Sequence, residues 1–436
     1  MSASTSSPLR LGIAGLGTVG AGVIKLLETN KDLITARAGR ALQVVAVSAR
    51  NRSQDRGVSL EGLRWYDNAI DLAADPEVDV VVELIGGAEG PARALVEAAL
   101  AAGKAVVTAN KALIALHGAA LAQSSAANNA PLLYEAAVAG GIPAIKTVRE
   151  GLAADRLLRI GGILNGTCNY ILTVMRETGK DFATVLADAQ KLGYAEADPS
   201  TDIDGWDAAH KLAILAGLAF GRPVAFESVH VEGIRHIGAA DLDFARKLGY
   251  RIKLLGLARM GDAGLEARVT PCLVPEDAPI AQVDGVFNAV VAEGAFAGRL
   301  MIEGRGAGEG PTATAVTADL IDIARGNTIP VWGVQSATTE VLRACPLSAG
   351  KGAFYLRLRV EDRPGVIADI TAVLRDCGVS LRSMLQHPAD SETAPHVPLV
   401  LVTHRTSEAA MQAAIAQIDA LSVVTDTPVM IRIEAA

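Results

Sequence analysis

A lysine exchanges a proton usefully when burial and a neighbouring carboxylate pull its pKa in opposite directions. Residues 189–211, AQKLGYAEADPSTDIDGWDAAHK, supply both influences. Glu196, Asp198, Asp202, Asp204, Asp207 and Lys211 fall within sixteen positions. A run that acidic is usually a solvated loop. This one ends in an amphipathic helix pattern, with Asp207 and Lys211 one turn apart on one face. The apolar LAILAGLAF follows, so the Lys211 ammonium emerges at the edge of a core. A second lysine, Lys111, closes Val107-Thr108-Ala109-Asn110-Lys111, which reads as a strand running into a helix.

Gly15-Leu16-Gly17-Thr18-Val19-Gly20 stands between a strand pattern and a helix pattern, the placement of a dinucleotide-binding turn. There the first glycine permits a tight turn and the second lets backbone approach a pyrophosphate. The third lets helix and strand pack closely, and helix N–H groups face the phosphates. The acidic residue that would hold a ribose 2′-hydroxyl at the end of the second strand is absent. The chain reads Ser48-Ala49-Arg50-Asn51-Arg52 instead. A guanidinium at Arg50 can pair with a 2′-phosphate, which favours NADP; if Arg50 is only a solvated loop residue, NAD stays open.

The elements that must position these groups alternate. Strand patterns at Leu9–Ala14, Leu42–Arg50, VDVVVELIGG, KAVVTANK and APLLYEAAV are interleaved with helical stretches, one of them Pro91–Ala102. That alternation predicts a parallel sheet with right-handed crossovers, a Rossmann-type α/β domain over residues 1–150, completed by about 300–330. Longer helices mixed with strands over 151–299 predict an α+β catalytic and substrate domain. Residues 331–351 read as a Gly/Pro-interrupted connector. From 352 to 436 the order is βαββαβ, which gives a ferredoxin-like domain with an antiparallel sheet.

Composition narrows the class. At 436 residues the chain needs two or three domains, and its 40 Lys+Arg against 48 Asp+Glu form no basic run. A nucleic-acid footprint is absent. No signal peptide and no apolar stretch of membrane length is present, so the reading is a soluble cytoplasmic protein without a membrane partner. Cys168, Cys272, Cys345 and Cys377 lie far apart without a CxxC, and the seven histidines have no metal-ligand spacing.

The acidic segment resembles the signature of homoserine dehydrogenases, with Gly193, Asp198-Pro199, Asp202, Gly205, Asp207 and Lys211 at the family's spacing. GILNGTCNYIL, VTANK and EAAVAGGIP match as well, so the resemblance spans essentially the whole chain. It implies NAD(P)-dependent interconversion of L-homoserine and L-aspartate 4-semialdehyde. Lys211 would move the proton at the substrate oxygen, and Lys111 would lie between nicotinamide and substrate. Glu196 would hold the substrate's amino group, with Asp202 on the same segment. Asp207 would bind and align beside Lys211. Ile85 and Gly308 would pass close to the nicotinamide. The resemblance further implies a monovalent cation, Na or K, on the backbone carbonyls of Glu135, Val138, Gly140 and Ile142.

Cys168, where the family often has threonine or serine, raises a rival: an aldehyde dehydrogenase with a cysteine nucleophile. The C-terminal unit, with Asp362-Arg363-Pro364-Gly365 opening its first helix, resembles the ACT domain. That implies a small amino-acid effector bound in a homodimer or homotetramer, with threonine as first guess. The alternatives are a module that only dimerises, or a sensor whose catalytic lobe is dead. Lys111, Glu196, Asp207 and Lys211 are all intact, which argues against the last.

Overall fold

The computed structural model describes residues 7–261, 264–334, 340–386 and 396–434. Residues 335–339 of the expected connector lie outside the described residues. The chain divides into two compact units. One comprises Met1–Gly166, Asp207–Val229 and Phe287–Arg343, and the other comprises Thr167–Trp206, His230–Val286 and Ala344–Ala436.

The first unit is built on a parallel sheet of β1 (Leu9–Ala14), β2 (Leu42–Ser48), β3 (Arg64–Tyr66), β4 (Val80–Glu83), β5 (Ala105–Thr108) and β6 (Leu132–Leu133). Their order is β3-β2-β1-β4-β5-β6, the doubly wound arrangement with its crevice at the strands' carboxyl ends. β4 and β5 are buried at every position, which explains their unbroken apolar runs. The crossovers are α1 (Thr18–Thr29) with α2 (Lys31–Ala38), α3 (Asp71–Ala74), α4 (Pro91–Ala101) and α5 (Lys111–Ala127). Leu9, Leu11, Ile13, Val80, Val82 and Val107 point to one face by the period-2 rule and share a core with Val23, Val316 and Leu320.

The APLLYEAAV stretch departs from its expected strand. Only Leu132–Leu133 pair, and Glu135–Ala137 form a 3-10 turn. The cause is a tertiary contact: the Glu135 N–H donates to the Asp319 carboxylate at 2.8 Å rather than to a ladder. A short helix, α6 (Ala144–Lys146), and a π-helical turn, Thr147–Gly151, lead to β7 (Leu157–Ile163). Helices α7 (Gly166–Thr178), α8 (Phe182–Lys191), α9 (Ser200–Ile203) and α10 (Trp206–Phe220) follow. The acidic segment is thus partly helical, with Asp202 inside α9.

The second unit holds β8 (His230–Val231), α11 (Ala239–Lys247), β9 (Tyr250–Gly261) and β10 (Gly264–Pro275). β9 and β10 form a long antiparallel pair, and β8 joins β10 in parallel. In the first unit β7 pairs with β11 (Phe287–Gly294), which pairs with β12 (Gly298–Arg305). α12 (Glu309–Arg325) returns to pack on α1.

The C-terminal part of the second unit is β13 (Lys351–Glu361), α13 (Val366–Asp376), β14 (Leu381–Gln386), β15 (His396–Thr403), the two-residue β16 (Thr406–Ser407), α14 (Glu408–Asp419) and β17 (Val429–Ile433). Its sheet runs β17-β13-β15-β14, as a ferredoxin-like sandwich requires. Phe354, Leu356, Leu358, Ile370, Leu399 and Met411 form its core. β17 also pairs in parallel with β10, matching Cys272 to Arg432 and Leu273 to Ile433.

Candidate active site

The glycine turn separates three different demands. Gly15 has φ +97°, and a Cβ there would lie 2.4 Å from the Leu84 carbonyl oxygen. At Gly20 a Cβ would lie 2.0 Å from the Gly15 oxygen, so the first turn of α1 closes onto the turn itself. Gly17 has nothing within 4 Å and is exposed, which leaves the open backbone approach a pyrophosphate needs. Thr18 opens α1 and is exposed, whereas Leu16 is buried and Val19 packs against the core. Those two offer a ligand only backbone.

Arg50 is exposed just beyond β2. Arg52 and Arg56 each stand 5.7 Å from the centre of the Trp65 ring. Arg56 also donates to the Leu16 carbonyl at 3.1 Å, tying this basic loop to the glycine turn. Gly308, at φ +123°, is the N-cap of α12. Ile85 is half-buried just past β4.

Two lysines meet on one carboxylate. Lys111 is the first residue of α5, behind Asn110, whose side-chain oxygen accepts from the Leu113 N–H at 3.1 Å and caps the helix. Asp207 and Lys211 lie one turn apart on α10. Lys111 Nζ sits 2.5 Å from Asp207 Oδ1, and Lys211 Nζ donates to Asp207 Oδ2 at 2.7 Å. Lys211 also donates to the Leu164 carbonyl at 2.8 Å, and Asn165 Nδ2 reaches Asp207 Oδ2 at 2.8 Å. Burial alone would raise the Asp207 pKa, but the Lys211 and Lys111 ammoniums outweigh it and hold the carboxyl well below the usual range. The Lys211 side chain is 10% exposed and that of Lys111 41%, so one ammonium is enclosed and the other meets solvent. His210 stacks on Phe226 with ring centres 4.5 Å apart, and burial lowers its pKa.

Glu196 and Asp202 belong to the second unit. Glu196 is exposed, and its carbonyl accepts from Gln190 Nε2 at 3.0 Å. Asp202 accepts from the Thr167 hydroxyl at 3.2 Å. The structure therefore joins Lys111, Asp207 and Lys211 directly and gives Glu196 and Asp202 contacts within their own unit. Cys168 is fully buried and its thiol donates to the Asp202 carbonyl at 3.2 Å, the setting of a core cysteine rather than a nucleophile.

Residues 135–142 form a tight backbone turn. Ala139 and Gly140 have φ of 55° and 43°, and Gly141 N–H donates to the Arg305 carbonyl at 3.1 Å. Glu135, Val138, Gly140 and Ile142 are all buried. The Glu135 side chain is committed elsewhere, its two oxygens accepting from the Ile145 and Lys146 N–H groups at 2.9 and 2.8 Å. Burial, then the neighbouring Asp319, push its pKa up to about 7. Among the described residues no cluster of three or more His, Cys, Asp or Glu side chains could hold a metal, so a cation on this turn would rest on carbonyls.

Family models match along most of the chain: homoserine dehydrogenase, NAD binding domain, over residues 15–135; homoserine dehydrogenase over 143–321; and the ACT domain over 354–422. The homoserine dehydrogenase of Pseudomonas aeruginosa is 46% identical over 98% of this chain and 99% of that protein. The chain belongs to the homoserine dehydrogenase family. Among solved structures, a homoserine dehydrogenase from Thiobacillus denitrificans superposes with a TM-score of 0.93 at 46% identity, covering 99% of each chain. A hyperthermophilic archaeal homoserine dehydrogenase, solved in complex with NADPH, matches 72% of this chain and 97% of its own at 27% identity and a TM-score of 0.62.

As a homoserine dehydrogenase the protein is an oxidoreductase acting on the homoserine hydroxyl with a nicotinamide cofactor, and it ends in an ACT domain. No helix among the described residues is long and apolar enough to cross a membrane. Sequence reasoning missed three participants at the lysine pair: the Leu164 carbonyl, Asn165 and Asn110. Asn165 and Leu164 belong to the ILNGT segment, so a family match pointed there, but nothing in their types showed that they hold Lys211 and Asp207.

Proposed function

We propose that the enzyme interconverts L-homoserine and L-aspartate 4-semialdehyde with NADP preferred over NAD, and that Lys211 and Lys111 act as a pair set by Asp207. The observation that carries this reading is one buried carboxylate holding both ammoniums, at 2.5 and 2.7 Å. A bound nicotinamide supplies the hydride acceptor. The chain's residues supply alignment and proton handling. Lys211, enclosed and oriented by the Leu164 carbonyl, takes the hydroxyl proton in oxidation as the neutral amine, its own proton having first passed to solvent, and gives a proton back as the ammonium in reduction. Lys111 steadies negative charge on the same oxygen, a contribution of about 2.7–4 kcal/mol for a well-aimed donor. Both Asp207 oxygens face lysines, so Asp207 acts by aligning them. Glu196 holds the substrate's ammonium, and Asp202 is assigned to substrate binding with it.

Gly15, Gly17 and Gly20, with Leu16, Thr18 and Val19, form the pyrophosphate turn, and Ile85 and Gly308 border the nicotinamide. The buried turn at Glu135, Val138, Gly140 and Ile142 is assigned to a monovalent cation held by backbone carbonyls. NADP is favoured by the three guanidiniums beyond β2 and by the NADPH-bound relative. The ACT domain is read as a feedback sensor within threonine and methionine biosynthesis, in a cytoplasmic homodimer or homotetramer. A cleft of about 380 Å³ beside Asp362, Arg363, Pro364 and Gln386 supports a small ligand there. Gly365, at φ +96°, starts α13 without a side-chain cap, leaving N–H groups for a carboxylate.

The nucleotide assignment is tested by homoserine-dependent reduction of NADP and NAD. NADP should give the higher kcat/KM, and Arg50→Ala should weaken NADP about tenfold or more while leaving NAD nearly unchanged, as loss of a charge-assisted phosphate contact requires. Equal losses for both cofactors would remove Arg50 from the 2′-phosphate.

A further inference from the structure

Glu83 ends β4 and is completely buried. A carboxyl withdrawn from water is expensive, and a well-packed apolar residue in its place is often neutral or stabilising. Its presence therefore calls for a return beyond packing. Glu83 Oε1 accepts the N–H groups of Ile85 and Gly86 at 2.8 and 2.9 Å. Glu83 Oε2 accepts the hydroxyl of Thr108, the last residue of β5, at 2.5 Å.

From there the bonds run on to Asn110, the residue before the lysine. Thr108 Oγ1 accepts the Asn110 N–H at 2.9 Å. Asn110 Nδ2 donates to the Gly87 carbonyl at 2.7 Å while its oxygen caps α5, which begins at Lys111. The ring closes: Glu83 fixes the loop 84–87, that loop holds Asn110, and Asn110 holds Thr108, which returns to Glu83. The Leu84 carbonyl of the same loop lies so near Gly15 that a Cβ there would be 2.4 Å from it, so one carboxyl sets both the glycine turn's neighbour and the root of Lys111. Lys111 is long and partly exposed, so where its ammonium rests depends on where its backbone is held.

We propose that Glu83 is a positioning residue for the reaction, holding the 84–87 loop and the Lys111 backbone in register through Thr108 and Asn110. This rests on the reading of Lys111 as one of the reacting pair. A displacement of about 1 Å at a reacting centre can cost about a hundredfold in rate. Glu83→Gln puts an amide donor where an acceptor is needed at nearly constant size. Thr108→Val removes the linking hydroxyl, and Thr108→Ser keeps it.

The test uses the full chain, with kcat, homoserine KM, nucleotide affinity by fluorescence, melting temperature, and the isotope effect of homoserine deuterated at its hydroxyl-bearing carbon. Glu83→Gln and Thr108→Val should each lower kcat about ten- to a hundredfold and raise the isotope effect, with KM and nucleotide affinity within about threefold. Thr108→Ser should restore kcat to within about twofold of the parent. Folded variants with unchanged kcat and isotope effect would overturn the proposal, as would variants that lose only folded protein, since Glu83 would then serve stability alone. Lys111→Ala is run beside them. If it stays active, the lysine assignment fails and takes this inference with it; if it is inactive while the Glu83 and Thr108 variants are normal, only this inference falls.

Discussion

Exchanging Asp207 for Asn keeps its shape and removes the charge that both lysines share. The loss should be about 3 kcal/mol at neutral pH, the scale for leaving a buried ion without its partner. The pH dependence follows from the sign of the shift. Asp207 is held below its ordinary value, so its contribution is complete above about pH 5, declines as pH falls past the ordinary carboxylate value and is gone below the folded one. Urea unfolding of parent and Asp207→Asn should therefore show a constant gap from about pH 5 to 8 that narrows below about pH 4. A gap that widened on acidification would contradict the arrangement. At this scale Asp207 and Lys211 were legible because helix periodicity alone puts them side by side. Leu164, Asn165 and Glu83 were not. A carbonyl carries no side-chain signature, and a glutamate ending an apolar strand looks the same whether it organises two loops or merely reaches solvent.

The turn between β1 and α1 gives a prediction in which two glycines part company. Alanine normally favours a helix over glycine by about 1 kcal/mol. At Gly20, inside α1, that gain is outweighed because the new Cβ would meet the Gly15 carbonyl at 2.0 Å. Gly20→Ala should lose about 1–3 kcal/mol of stability, the usual cost of overpacking. Gly17→Ala meets nothing within 4 Å, so its stability should stay within about 1 kcal/mol of the parent while dinucleotide affinity falls. Thermal melts with and without nucleotide would separate the two; a Gly17→Ala enzyme with full affinity would move the pyrophosphate elsewhere. The parallel sheet and the βαββαβ order were readable from alternation and turn residues. The short β6 was not, because Asp319, far along the chain, draws the Glu135 N–H away from a ladder.

For the whole molecule, the C-terminal domain bears on how control can be tested. If the connector expected over 331–351 is not a structural strut, a chain ending near Pro346 would keep its activity and lose regulation. Within the second unit, however, β17 pairs with β10, Arg432 binds Glu408 at 2.6 Å, and Arg357 binds Asp241 at 2.6 Å. Arg268, 2% exposed, pairs with Glu434. Ending the chain at Pro346 would strip β10 of a strand and leave buried Arg268 and Asp241 without those partners. Such a chain should melt lower and aggregate, and a stable, soluble, active product would contradict that. Control is better tested on the full chain, where threonine should raise the melting temperature and shift homoserine affinity about 5- to 150-fold. The account stands or falls on its proton-transferring lysine. Homoserine-dependent reduction of NADP by Lys211→Met, with nucleotide affinity measured alongside, tests it most directly. The account predicts a loss in kcat of about 10²–10⁴-fold with nucleotide affinity nearly unchanged. A folded Lys211→Met enzyme turning over within a few-fold of the parent would contradict it.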